Sequence, residues 1–259
     1  MTSSHVSTTP KPPNNLVGVA LVAAFIALGA GLAISPDPPG VLTFGFVLVG
    51  WVLAVMAHEF AHAFVAWRAG DITVKAKGYL AFDPRRYGDL GTSLVIPLLA
   101  LALGGIGFPG GAVYLRDDLM RSRTWRMAAS LAGPAATLIV LIGLAVVLSL
   151  WPAPLDGTNT LFNALALLAF LQAMALVLNL LPIPGLDGFN ALRPFLPDAW
   201  NPTIRKFEGV AMLVLLGALF FVPQVGDLLF GATANLAASL GVPRGAIGAG
   251  WNAFHFWKG

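Results

Sequence analysis

Apolar residues in this chain fall in long blocks separated by short polar or proline- and glycine-containing breaks. Blocks of this length predict membrane helices rather than the intermittent apolar stripe of a soluble helix. Leu16 to Ile34 is the first, Val41 to Trp67 the second, Met127 to Leu150 the third and Leu161 to Leu181 the fourth. Glu208 to Val222 forms a further block ended by Pro223, and Val225 to Leu240 reads as a short span or an interfacial helix. Gly91 to Phe108 is apolar but short, glycine-rich and interrupted by Pro97. It is expected to be a re-entrant or shallow segment, with a full span as the alternative. The run GGAVYLR at 110–116 alternates as a short strand would, and its edge could pair with an extended peptide. The expected fold is an all-α polytopic membrane protein. It has about five to six transmembrane helices, with a re-entrant or short segment and a small β element between the second and third main spans. Residues 1–14 are polar, proline-containing and without periodicity, as in a disordered tail. Residues 15–223 would form the membrane domain with its core at 41–195, and 224–259 a short helix and tail. In that tail Trp251, Phe254, Phe256 and Trp257 have the character of an interfacial anchor, with His255 beside them.

Composition strengthens the membrane reading. The 259 residues are 57% hydrophobic and 10% charged, whereas a soluble domain carries about 25% charged residues. The absence of cysteine removes disulfides and thiolate ligands from consideration. The net charge of +3 is not gathered into a basic tract interleaved with aromatics, so no nucleic-acid partner is expected. The partner that composition leads one to expect is the lipid bilayer. Arg68, Lys75, Lys77, Arg85 and Arg86 follow the second block, and Arg193, Arg205 and Lys206 follow the fourth. The positive-inside bias places both connections in the cytoplasm. The second helix then runs from outside to inside. The expected location is the cell membrane of a prokaryote, with the active site toward the cytoplasmic side.

One block carries charge where hydrocarbon makes it costly. Within WVLAVMAHEFAHAFVAWR (51–68), His58, Glu59 and His62 spell H-E-x-x-H. Histidines four residues apart on a helix share a face and can bind one zinc ion, while Glu59, about 100° around the axis, can reach a water there without ligating. Two imidazoles leave such a site short of a third protein ligand. The only other glutamate is Glu208, and topology separates the aspartates. Asp37 and Asp156 fall outside, and Asp71, Asp83, Asp89, Asp117, Asp118 and Asp198 lie in polar loops where a solvated carboxylate is expected. Asp187 sits just past the inner end of an apolar block, in a turn braced by Pro182, Pro184, Gly185 and Gly188. Since the second and fourth helices both run inward, Asp187 and His62 should arrive at similar depth. The small residues around Gly133 and Pro134 are expected to serve close helix contact.

HEFAH at 58–62, AGPAA at 132–136 and NLLPIPGLDG at 179–188, in this order and membrane setting, resemble the site-2 protease family of intramembrane zinc metalloproteases. The similarity is to the compact branch without a PDZ domain, and DPRRYGDLGTSLVIPLL resembles the stretch that follows its metal helix. The resemblance spans about residues 41 to 195. It implies one zinc ion held by His58, His62 and Asp187, with Glu59 as catalytic base. It also implies a role for Asn179 in holding substrate or polarising its carbonyl. Two positions depart from the family pattern. Thr137 stands where Asn is frequent, which weakens or changes any polar contribution there. Gly110 to Tyr114 replaces a K-P-V-P-like segment. The implied activity is hydrolysis of peptide bonds in or beside the transmembrane segments of a transmembrane protein substrate. The rival readings are a catalytically silent membrane scaffold that keeps the metal site and a small metal transporter.

Overall fold

The computed structural model describes residues 15–87, 101, 113–151 and 159–258. Helix α1 (Leu16–Ile34) turns through a proline-containing link into α2 (Gly40–Ala69), the longest helix described. Gly70, at φ 123°, closes α2 by donating its amide to the carbonyls of Ala66 and Trp67. Positive φ at this position suits glycine. A short α3 (Thr73–Ala76) follows, then a 3-10 turn at Pro84–Arg86. Helix α4 (Arg123–Ser149) is capped by Ser122, whose side chain accepts the Trp125 amide, and α5 (Thr160–Asn179) by Asn159, which accepts the Phe162 amide. After α6 (Asp187–Leu192) come α7 (Asn201–Phe221), α8 (Pro223–Ser239) and α9 (Arg244–Phe254).

Helix α5 is the axis of the bundle, buried on all sides by α2, α4, α8 and α9. Its sequence explains this. It is apolar all round rather than on one stripe, and Ala164, Ala166, Ala169 and Ala173 keep its girth small enough for close neighbours. Helices α2 and α4 pack along each other beside it. Helix α1 lies on the outside, with Leu16, Val19 and Ile26 exposed, as a lipid-facing helix would have them.

This is an all-α membrane protein. Among the described residues four helices (α1, α2, α4 and α5) are long and apolar enough to cross a bilayer. A fifth span results if the bent pair Asp198–Phe221 and Pro223–Ser239, angled by 91°, is taken as one. Pro223 causes the break, because it lacks an amide donor and its ring clashes with the preceding turn. The expected re-entrant segment at 91–108, Leu101 apart, and the tail at 1–14 lie outside the described residues.

Three expectations need correction. No strand occurs among the described residues, so the β element expected at 110–116 is not seen over Val113–Arg116, while 110–112 lie outside them. The reason is visible in the hydrogen bonds: side chains hold this segment. The Val113 amide donates to Glu59 Oε2 (3.2 Å), the Arg116 amide to Asp71 Oδ2 (2.8 Å), and Lys77 Nζ donates to the Tyr114 carbonyl (2.7 Å). Asp71 and Asp83 are buried rather than solvated. Asp71 also accepts from the Thr73 amide and hydroxyl, and Asp83 accepts two guanidinium bonds from Arg85 at 2.8 and 2.9 Å. Those bonds hold the Asp83 carboxyl below its ordinary range. Finally, the C-terminal aromatics are a packing element as much as a surface one. Phe254 and His255 are buried, with the His255 ring 4.7 Å from Trp251 and 5.2 Å from Trp257. Phe254 and Trp257 close over Phe44 near the start of α2, while Phe256 and Trp257 stay partly exposed.

Candidate metal centre

His58, Glu59 and His62 lie in the C-terminal half of α2 and are all buried. Asp187 reaches them from the far side. The chain leaves α5 at Asn179 and turns through Pro182–Leu186, with the Leu186 amide bonded to the Ile183 carbonyl at 3.0 Å. It then starts α6 with Asp187 as the first residue. Two glycines make this turn possible. Gly185 adopts φ 100°, and a Cβ at Gly188 would collide with the carbonyls of Leu180 and Leu181.

The turn brings three ligand atoms together. His58 Nε2 and His62 Nε2 are 3.0 Å apart, and Asp187 Oδ2 is 3.1 Å from the first and 3.3 Å from the second. Ligands bonded to zinc at about 2.0–2.1 Å in tetrahedral directions stand about 3.3 Å from one another. The triangle therefore has the size that three ligands of one zinc ion would have, and these residues would hold the ion. The donor set, two imidazoles and a carboxylate, suits zinc. These three residues fit the ion that the sequence implied.

The rear of each imidazole is also committed. His62 Nδ1 is 2.7 Å from the Ala129 carbonyl, and His58 Nδ1 is 2.9 Å from Thr137 Oγ1. A carbonyl can only accept, so Nδ1 of His62 carries the hydrogen and a neutral ring presents the Nε2 lone pair to the cluster. Both partners come from α4, as does a third contribution with no polar atom. A Cβ at Gly133 would run into His62 Nε2 and would sit 2.5 Å from His58 Nε2. Glycine here is what lets the two imidazoles occupy their places.

Glu59 stands outside the three-ligand cluster, with the Val113 amide on its Oε2 at 3.2 Å. A cavity of about 310 Å³ opens over the cluster, bordered by Glu59, Asn179, Tyr114, Arg126, Arg193 and Glu208 among others. Asn179 is buried, and its amide nitrogen has no hydrogen-bond partner among the described residues.

All five residues singled out by sequence, His58, Glu59, His62, Asp187 and Asn179, thus border one cavity. Sequence reasoning undervalued α4. Sequence alone assigns Gly133 only to close helix contact and Thr137 to a weakened or changed polar contribution. The Ala129 carbonyl is invisible to any side-chain motif. The A-G-P-A-A stretch itself was the signal, since its small residues face the histidines as well as a helix.

Fold and donor set together define a membrane-embedded protein with a candidate zinc centre. Comparison with known proteins agrees. The chain is 40% identical over 259 residues to a protein of Mycobacterium tuberculosis named "Putative zinc metalloprotease Rip2", covering 99% of this chain and 98% of that one. It is also 40% identical over 244 residues to the protein of the same name in Mycolicibacterium smegmatis, covering 92% of each. A Bacillus subtilis protein named "Putative zinc metalloprotease YwhC" is 27% identical over 194 residues, 70% of this chain and 82% of its own. No protein-family model and no solved structure matches the chain. The chain belongs to the site-2 protease family of zinc metalloproteases.

Proposed function

We propose that this protein is an intramembrane zinc metalloprotease that hydrolyses peptide bonds in or next to the transmembrane segments of membrane proteins. The observation that carries the reading is the buried triangle of His58, His62 and Asp187, at zinc-ligand spacing, with Glu59 beside it on an apolar helix. Zinc, when bound, supplies Lewis acidity that acidifies a water and polarises the scissile carbonyl.

The protein's own residues supply the rest. Glu59 takes a proton from the attacking water and delivers it to the leaving amine nitrogen as the carbon–nitrogen bond breaks. Asn179, which borders the cavity and whose amide nitrogen has no partner among the described residues, holds the substrate or its carbonyl oxygen. Ala129 and Thr137 fix the two imidazoles in orientation. Val113 to Leu115 border the cavity, so an extended substrate would lie against them. The substrate helix must unwind locally, because a helical peptide bond is shielded by its own turns.

The basic residues after α2 and after α5 support an active site toward the cytoplasmic side of a prokaryotic cell membrane. The proposed number of spans is five to six. The catalytic core is 41–195 within a membrane domain at 15–223. Residues 224–259 act as a supporting C-terminal part, consistent with α8 and α9 packing on α5.

Purified protein incubated with a panel of single-span substrates, with and without a zinc chelator, tests the reading when wild type and Glu59→Gln are run side by side. Cleavage that the chelator abolishes, and that Glu59→Gln lowers by about 10²–10⁴-fold while keeping its zinc, is expected. Equal cleavage by Glu59→Gln, or cleavage indifferent to the chelator, overturns it.

A further inference from the structure

Beside the metal cluster a second, narrow slot runs between α2 and α5. Trp51, Gln172, Asn179, His58, Glu59 and Thr137 border it. Trp51 and His58 are seven residues apart on one helix, as are Gln172 and Asn179 on the other, so each pair spans two turns, about 10 Å, of one face. The slot therefore extends from the metal centre toward the middle of the bundle. His58, Glu59 and Asn179 border both it and the main cavity and form the partition between them.

The slot is small and its polar chemistry is incomplete. It offers about 10 Å³ to the centre of a water molecule, about the minimum that one water needs. Three of the residues that line it carry buried nitrogen donors, Trp51 Nε1, Gln172 Nε2 and Asn179 Nδ2, that have no hydrogen-bond partner among the described residues. Leaving three donor nitrogens unmet at this depth is costly. An apolar occupant would meet none of them. A cation would be repelled by the donors and an anion by the Glu59 carboxylate on the same wall. A water molecule accepts from two of these three donors and still has two hydrogens to give, one of them to Glu59.

We propose that the slot is an internal water site, and that Gln172 and Trp51 are positioning residues that act through this water on Glu59 and Asn179. The water ties the proton-accepting carboxylate and the Asn179 amide to the bundle axis from within the slot. The inference rests on the proposed role of Glu59 as base.

Radiolytic hydroxyl labelling of the zinc-loaded protein in detergent reads the water directly. Oxidation arises beside bound water even where bulk solvent is excluded. Trp51, 1% exposed, should be labelled in wild type and unlabelled in Gln172→Leu, which fills the slot with an apolar side chain. Gln172→Asn, which keeps an amide there, should retain the label. The second readout is kinetic. Gln172→Leu and Trp51→Phe should each lower kcat about tenfold, with KM, zinc content and melting temperature unchanged. An unlabelled Trp51 in wild type, or equal labelling in Gln172→Leu, overturns the water site. Loss of label with an unchanged kcat overturns the positioning role. If Gln172→Leu melts early, Trp51→Phe and Gln172→Asn decide the matter. A wild type that labels at Trp51 but cleaves none of the substrates breaks the protease reading, and with it the positioning role, while leaving the water site standing.

Discussion

Helices α2 and α4 face the same cluster and contribute to it in opposite ways. Helix α2 presents His58, Glu59 and His62, side chains whose chemistry announces itself. Helix α4 presents the Ala129 carbonyl, a bare Cα at Gly133 and the Thr137 hydroxyl. One wall carries the ligands and the other decides which way they point and whether they fit. The difference teaches that a metal helix in a membrane is half a site. Its imidazoles need rear acceptors, and in hydrocarbon those acceptors come from a neighbouring helix, not from water.

The contrast can be broken at several points. The largest effect is expected from Asp187→Ala, which leaves α2 intact but removes the ligand that completes the set. Zinc content measured by atomic emission should fall well below one per chain, and cleavage should drop to the level of the metal-stripped protein. Retention of full zinc would show that the two imidazoles suffice. Gly133→Ala should come next, since bound imidazoles cannot move aside for a Cβ at that position. Zinc affinity, read by competition with a chelating dye, is expected to fall about 100-fold even though every ligand is present. Unchanged affinity would remove α4 from its steric role.

Thr137→Val keeps the shape and deletes the hydroxyl facing His58 Nδ1. Affinity or turnover should decline about tenfold, with Thr137→Ser restoring most of it. The smallest effect belongs to a contact remote from both walls. Asp83, held below its ordinary pKa by Arg85, contributes stability that is fully present above its unfolded value of about 3.9 and is lost as pH falls through the lower folded value. Asp83→Asn should melt about 1–3 °C below wild type at neutral pH, with zinc content unchanged, and the two melting curves should converge in acid. A gap that persists in acid would mean the carboxylate's charge is not the source.

Much of this was legible in the sequence, for identifiable reasons. The four main spans are visible because hydrocarbon imposes length and apolarity on each helix independently of its neighbours. His58, Glu59 and His62 are visible because helical spacing alone aligns them, and Asp187 because two helices running the same way bring their ends to one level. What lay hidden depends on contacts between distant segments. Val113–Arg116 alternates as a strand would, yet Glu59, Asp71 and Lys77 hold it by side-chain bonds. Asp71 and Asp83 read as loop carboxylates and are buried by partners elsewhere in the loops. His255 reads as an interfacial residue and packs among rings. Thr137 reads as a weakened or changed polar contribution because its value lies in the distance to His58, which spacing along one chain cannot give.

Gly133 has a consequence for reading genomes. A gene can drift while keeping its H-E-x-x-H intact, and that motif would still mark it as an active enzyme in any survey. A single change from glycine at the position facing the two imidazoles would disarm the protein without touching a ligand. A residue seventy-one places after the second histidine is not where a survey would look; yet Gly133, lacking any side chain, is the position at which working and retired copies of this enzyme should part.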